Sequence, residues 1–340
     1  MSVSRILIIG PSWVGDMVMA QSLFHALKVD NQQCLIDVVA PHWALPLIER
    51  MPEVNRGFEL PIKHGEFALI KRYQIGRRLR EYGYGRAITL PNSWKSALIP
   101  FFAGIPLRIG YLGECRWGLL NQVRRLDNTQ LKLTVQRFVA LANNSSVTEK
   151  LEIAAPELIA DKNQAGELLQ RFKLSVSDQP VLALCPGAEY GSSKQWPEQH
   201  YIRVAQHYIA KGWQIWLLGS KNDRVVCSTI KQQVDVECID FSGKTTLSEA
   251  IDLLSLTTAV VTNDSGLMHI AAALNKPLVA LYGSSDPTAT PALGKRVSIV
   301  TLGLHCSPCF ERECPYQHRH CLTQINPGLV IDRLNALCEL

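Results

Sequence analysis

Short apolar, β-branched runs, each stopped by Gly or Pro and each followed by a helical pattern, recur along this chain in two successive series. Arg5–Ile9 (RILII) ends at Gly10-Pro11, and consecutive apolar residues of this kind read as a strand buried on both faces. Met17–Val29 follows as a helix, Leu35–Ala40 (LIDVVA) as a second strand and Ala44–Met51 as a second helix. Phe67–Glu81 reads as a basic amphipathic helix, Arg86–Leu90 (RAITL) as a strand and Ser93–Phe102 as a helix. The rhythm then restarts. Val181–Cys185, Gln214–Leu218, Ala259–Thr262 and Leu278–Tyr282 read as strands, with helices over Pro197–Lys211, Leu247–Ser255 and Leu267–Leu274. This alternation predicts an α/β protein of two doubly wound parallel sheets. The polar segment Asn143–Asp178 carries a helix but no strong strand, so the boundary is placed near residue 160. The expected domains are 1–160 and 161–325. A tail, 326–340, has a helix over Pro327–Leu340 that packs near the domain junction.

Composition narrows the function. Hydrophobic residues make up 47% of the 340 and charged residues 19%, which excludes general disorder and supplies a core for each half. The net charge of +5 is mild and has no polybasic arm, so nucleic acid is not expected as a partner; an anionic ligand or an anionic surface fits better. No apolar run is long enough for a membrane-spanning helix. The opening MSVSRILIIGPSWVGDMVMA does not read as a secretory leader, because its apolar stretch is short and Gly-Pro follows at once. Six cysteines (Cys34, Cys115, Cys185, Cys227, Cys238 and Cys338) are scattered, several in apolar runs, as buried reduced thiols are.

In open α/β sheets ligands bind beyond the carboxyl ends of the strands, so the loops there carry the functional argument; in a pair of such sheets these ends are expected to face a central cleft. After the first strand comes GPSWVGD, Gly10–Asp16. It lacks the GxGxxG dinucleotide fingerprint. Asp16 either steadies the N-terminus of the helix through its dipole or projects as a general base. After the first strand of the second half comes PGAEYGSSKQWP, Pro186–Pro197. Gly187, Ser192 and Ser193 offer backbone and hydroxyl groups, and Lys194 offers a point charge suited to phosphate; the plain alternative is a solvated lysine. The third motif, TNDSGLMHIAAAL, Thr262–Leu274, places Asp264, Ser265, Gly266 and Leu267 at a strand-to-helix turn whose N–H groups can cradle a diphosphate. Asp264 reads as an acceptor for sugar hydroxyls or as an N-cap. His269 is either part of the site or a core histidine. Asp223 in LLGSKNDR and Thr245 in FSGKTTLSEA are weaker candidates for ribose and adenine.

Late in the chain Cys306, Cys309, Cys314 and Cys321 fall in a C-x2-C-x4-C-x6-C pattern, with His305, His318 and His320 interleaved. The spacing admits a structural zinc or iron, reduced thiols or a disulfide.

With these residues in view, the chain resembles the bacterial lipopolysaccharide heptosyltransferases of glycosyltransferase family 9. The resemblance is carried by ILIIGPSWVGDMVMAQSL, LPNSWKSALIPFFAGIPLRIGY, CPGAEYGSSKQWP and TNDSGLMHIAAALNKPLVALYG, and it spans nearly the whole chain. It implies a GT-B fold of two Rossmann-like domains, with inverting transfer of L-glycero-D-manno-heptose from ADP-heptose to the lipopolysaccharide inner core and no cofactor required. By position it implies Asp16 as base and Lys194 on phosphate. It gives donor binding to Gly187, Ser192, Ser193, Asp223, Thr245, Asp264, Ser265, Gly266, Leu267 and His269. Acceptor binding is expected at Asn92, Ser93, Lys95 and Arg108, within a basic first half that also offers Arg116, Arg124, Arg125 and the helix with Lys71, Arg72, Arg77, Arg78 and Arg80. An anionic glycolipid would place the protein on the cytoplasmic face of the inner membrane. The rival expectations are another core heptosyltransferase with the same donor, a sugar-nucleotide epimerase and a two-lobed ligand-binding protein.

Overall fold

Runs of Ile, Leu and Val with no charged interruption can bury both faces only in the middle of a sheet covered by helices, and each such side chain contributes about 1.5–3 kcal/mol on burial. The computed structural model describes residues 4–63, 65–142, 152–174, 179–234 and 237–339. Of the segment Asn143–Asp178, residues 143–151 and 175–178 lie outside the described residues. The chain forms two compact units, Met1–Pro156 and Glu157–Leu340.

The first unit contains β1 (Arg5–Ile9), α1 (Val14–Asp30), β2 (Leu35–Ala40), α2 (Leu45–Ile48), β3 (Val54–Glu59), α3 (Leu69–Leu79), β4 (Arg86–Thr89), α4 (Leu98–Phe102), β5 (Leu107–Tyr111), β6 (Gln122–Arg124) and α5 (Thr134–Ala140). Its sheet runs β3-β2-β1-β4-β5-β6, all parallel, with β1 at the centre in register Ile6↔Ile36 and Ile6↔Arg86. That is the Rossmann strand order. Leu7, Ile9, Val39, Ala87 and Ile99 share its core with Leu79 and Tyr84.

The second unit contains α6 (Lys162–Arg171), β7 (Val181–Cys185), α7 (Glu198–Ile209), β8 (Gln214–Leu217), α8 (Arg224–Gln233), β9 (Cys238–Asp240), α9 (Leu247–Leu256), β10 (Ala259–Asn263), α10 (Gly266–Ala273), β11 (Leu278–Leu281), β12 (Val297–Val300), α11 (His320–Thr323) and α12 (Pro327–Cys338). Its parallel sheet, β12-β11-β10-β7-β8-β9, repeats the same order from β7 onward. The tail helix α12 opens with Pro327 after the cap Asn326, and packs on α7, β11 and β12 of its own unit.

The structure breaks several expected elements into shorter ones. Ala44–Met51 becomes a 3₁₀ turn and the four-residue α2, and Ser93–Phe102 becomes a 3₁₀ turn followed by α4. In both cases a proline, Pro46 or Pro100, sits in the segment and lacks the N–H that a continuous helix needs. Strand order reverses between β1 and β4 in one sheet and between β7 and β10 in the other. The loops leaving those strands are therefore the places to seek ligands.

Candidate active site

In the first unit, β1 ends at Gly10, whose N–H donates to the Val39 carbonyl at 2.9 Å. A Cβ there would lie 2.7 Å from Met17 Cε, the flexible end of that side chain, and 3.3 Å from the Val39 carbonyl oxygen, so the turn into α1 is tightly packed. The helix opens after Trp13, which supplies no side-chain cap and is 44% exposed. Asp16 stands in the first turn of α1, half-buried, where a carboxylate is favoured by the helix dipole.

The loop after β4 holds Asn92, Ser93 and Lys95, and β5 holds Arg108; the structure gives several of these expected acceptor residues another job. Arg108 donates from Nε to Leu119 O (2.6 Å) and from Nη1 to Ile105 O (2.7 Å), and its guanidinium lies 5.6 Å from the Phe101 ring centroid. Lys95 Nζ donates to Gly65 O at 3.0 Å. Asn92 Oδ1 accepts from Arg116 Nη2 at 3.4 Å. Ser93 uses its carbonyl, accepting from Ser96 Oγ. Arg116, 1% exposed, donates to the carbonyls of Tyr111 and Pro91, and burial lowers its pKa to about 10. Arg72 is buried and donates to the Phe67 and Lys95 carbonyls, and Arg124 donates to Ala140 O. Much of the basic surface read from the sequence is therefore internal bracing: Arg72, Arg108, Arg116 and Arg124 bind backbone carbonyls. Arg77, Arg78 and Arg125 stay exposed.

The second unit gathers its candidates closely. Asn263, the last residue of β10, is fully buried. Its Oδ1 accepts from Trp196 N (3.1 Å) and Tyr201 Oη (3.0 Å), and its Nδ2 donates to Pro186 O (2.7 Å). One amide thus fastens the loop after β7 to the end of β10. Across that fastening Lys194 Nζ donates to Asp264 Oδ2 at 2.5 Å, with the two side chains 19% and 6% exposed. Asp264 is therefore an ion-pair partner rather than an N-cap; Ser265 holds the cap position, with no side-chain cap bond. Ser265, Gly266 and Leu267 are half-buried at the N-terminus of α10, where the first N–H groups have no partner within the helix. His269, on the same helix, is buried, and burial lowers its pKa to about 4, with Lys194 acting in the same direction and Asp264 opposing. It is neutral at pH 7.

The remaining donor candidates divide. Ser192 is exposed, but Ser193 is buried, with its Oγ 3.0 Å from Ser284 Oγ and donating to Glu311 O. Asp223 is buried and its Oδ2 accepts from Ser220 N at 2.7 Å, a capping box on the 3₁₀ turn Lys221–Asp223 that leads into α8. A Cβ on Gly187 would lie 2.2 Å from Asp223 Cγ, so Gly187 is the residue that lets these two loops meet. Thr245 lies half-buried just before Thr246, the N-cap of α9. The sequence reading passed over Asn263, although it sits inside the TNDSG motif, and also Tyr190, whose Oη donates to Phe310 O at 2.6 Å.

All ten cysteines are free thiols. Burial raises the pKa of Cys321, and the neighbouring Cys309, Cys306 and Cys314 raise it further. Among the described residues no three His, Cys, Asp or Glu side chains are arranged to hold a metal ion, so the reading of this cluster as a structural zinc or iron site gains no geometric support.

The profile of glycosyltransferase family 9 (heptosyltransferase) matches residues 72–320. Lipopolysaccharide heptosyltransferase 2 of Escherichia coli K12 is 43% identical, with 98% of each chain covered. Lipooligosaccharide heptosyltransferase 2 of Haemophilus influenzae is 44% identical over 98% of this chain and 99% of its own. Among solved structures, E. coli ADP-heptose LPS heptosyltransferase II superposes with a TM-score of 0.87 at 42% identity, covering 98% of both chains; the two Rossmann-like units are those of a GT-B fold.

Proposed function

The chain belongs to glycosyltransferase family 9, the heptosyltransferases, and from that membership we propose that it transfers L-glycero-D-manno-heptose from ADP-heptose to the heptose of the lipopolysaccharide inner core, with inversion. The observation that carries this reading is the near-complete match, at 42–45% identity, to several heptosyltransferases 2.

In this reading the second unit holds the nucleotide and the first presents the acceptor. The diphosphate takes Lys194 from Asp264, and the N–H groups of Ser265, Gly266 and Leu267 complete its cradle; Asp264 then turns to a sugar hydroxyl. Asp16 receives the proton of the attacking acceptor hydroxyl. The oxygen displaces ADP from the opposite face of the anomeric carbon. Negative charge grows on the leaving diphosphate, and Lys194 and the α10 amides stabilise it where it forms. His269 is neutral, so it adds no charge to this balance and can donate or accept a hydrogen bond. The reaction needs no cofactor beyond the donor substrate.

The acceptor is an anionic glycolipid, and α3 with its flanks suits a lipid surface. Phe67, Leu69, Ile70, Tyr73 and Trp94 are exposed there, Ile70 at 72%, beside the exposed Lys71, Arg77 and Arg78. We place the enzyme peripherally on the cytoplasmic face of the inner membrane; among the described residues no helix is long and apolar enough to cross a membrane. An ADP-release assay with ADP-heptose tests the function. Release that depends on a core acceptor carrying a single heptose supports it. No release, or release indifferent to acceptor, overturns it.

A further inference from the structure

Lys194 alone is poorly placed to bind a diphosphate, because the Asp264 carboxylate lies 2.5 Å from its ammonium and offsets its charge. A ligand that carries two or more negative charges, and gains another as it leaves, calls for an additional cation nearby. The loop after β12 supplies one. Phe310 N donates to Ser284 O at 2.7 Å, Tyr190 Oη donates to Phe310 O at 2.6 Å, and Ser193 donates from its Oγ to Glu311 O and from its N–H to Arg312 O at 3.1 Å. These bonds fix the Arg312 backbone against the residue that precedes Lys194. The approach is so close that a Cβ on Gly191 would lie 2.3 Å from the Arg312 carbonyl oxygen.

From that anchored backbone the Arg312 side chain returns toward the site. Its guanidinium carbon lies 5.4 Å from the Tyr190 ring centroid, and Lys194 Nζ lies 5.1 Å from the same centroid. One ring thus has both cations within reach of its π-system, and it is itself held to the Arg312 loop by its hydroxyl. Among the described residues Arg312 has no carboxylate partner, and its side chain is exposed, so its charge is available to an incoming ligand.

We propose that Arg312 is a second cation for the donor's diphosphate, binding the phosphate oxygens alongside Lys194 and restoring the positive charge that Asp264 cancels. A guanidinium suits this task because its fork can engage two phosphate oxygens at once. The proposal rests on the ADP-heptose reading above and adds to it a residue on a loop outside the strand-end motifs.

The test is calorimetric titration of adenosine, AMP and ADP into the full chain and into Arg312→Ala and Arg312→Lys. Loss of a charged hydrogen bond predicts that Arg312→Ala weakens ADP binding about tenfold or more, AMP less and adenosine little, with Arg312→Lys retaining part of the difference. An unchanged ADP affinity in Arg312→Ala overturns the proposal. So does equal weakening of all three ligands, since that is the signature of a disturbed loop rather than a lost charge. Arg312→Lys keeps the backbone contacts and the charge, so it still decides the matter if the alanine variant folds poorly. A wild-type protein that binds no ADP overturns the nucleotide reading itself; ADP binding indifferent to Arg312 overturns this inference alone.

Discussion

The two units share a strand order yet use their polar residues in opposite ways. In the second, the strand-end loops are tied to each other: Asn263 joins the loop after β7 to β10, Lys194 meets Asp264, and Ser193 meets Ser284. In the first, the conspicuous cations Arg72, Arg108, Arg116 and Arg124 brace backbone carbonyls, and aromatic and aliphatic side chains such as Trp13, Ile70 and Trp94 stand exposed. A buried polar network fully satisfied by its neighbours is rigid and specific, which suits a small ligand of fixed charge geometry. An exposed apolar surface with a few free cations suits a large amphiphilic one. On the proposed function one topology would serve two modes of recognition, with the difference in loops that the topology leaves free to vary.

In the second unit a large effect tests this contrast. Lys194→Ala is expected to lower turnover by about 10²–10³-fold, the usual cost of removing one preorganised donor from a developing negative charge. Steady-state kinetics with ADP-heptose would show it, and turnover within a few-fold of wild type would break the contrast. Next comes the bracing of the first unit. Arg116→Ala takes the guanidinium donors from the buried Tyr111 carbonyl and leaves the Pro91 carbonyl with Ser96 Oγ, and is expected to cost about 3 kcal/mol, whereas exposed Arg125→Ala costs under about 0.5 kcal/mol. Urea denaturation separates the two; equal effects would mean that Arg116 is not structural.

An effect of comparable size, appearing as acid is added, is expected from His269. Its folded pKa, about 4, lies below the ordinary value near 6.5, so the fold favours the neutral ring. The unfolded chain then binds the extra proton between about pH 6.5 and 4, and stability falls as pH drops through that window. The stability lost across that window is of order 3 kcal/mol. Unfolding of wild type and His269→Gln from pH 7 to 4 should show a steeper loss in the wild type, and parallel curves would refute the burial argument.

The core of this fold was legible because β1, β2, β4, β7, β8, β10 and β11 are short, mostly apolar runs, β2 being interrupted only by Asp37. The outer strands β3 (VNRGFE), β6 (QVR), β9 (CID) and β12 (VSIV) were not, because each is an edge strand, short or half-exposed, and carries too little apolar periodicity to stand out. The same limit applied to side chains. Lys194, Asp264 and His269 stood out because they lie just after strands and beside glycines. Their mutual contacts did not, since Lys194 and Asp264, 70 positions apart, come together only through the pairing of β7 with β10. Arg108 and Arg116 show the converse: a charge count cannot separate a guanidinium facing solvent from one bound to carbonyls. Asn263 was hidden by its chemistry, because a neutral amide beside the more conspicuous Asp264 gives no sign that it will fasten its strand end to the loop after β7.

The division of labour between the units is tested most directly by measuring Asp16→Asn twice, for ADP binding by calorimetry and for heptosyl transfer to a core acceptor. The variant keeps the shape of the side chain and removes its basicity. The account predicts ADP affinity within about twofold of wild type, with transfer lowered about 10²–10⁴-fold, the range typical for loss of a positioned base. Undiminished transfer, or a parallel collapse of ADP binding and transfer, would contradict it.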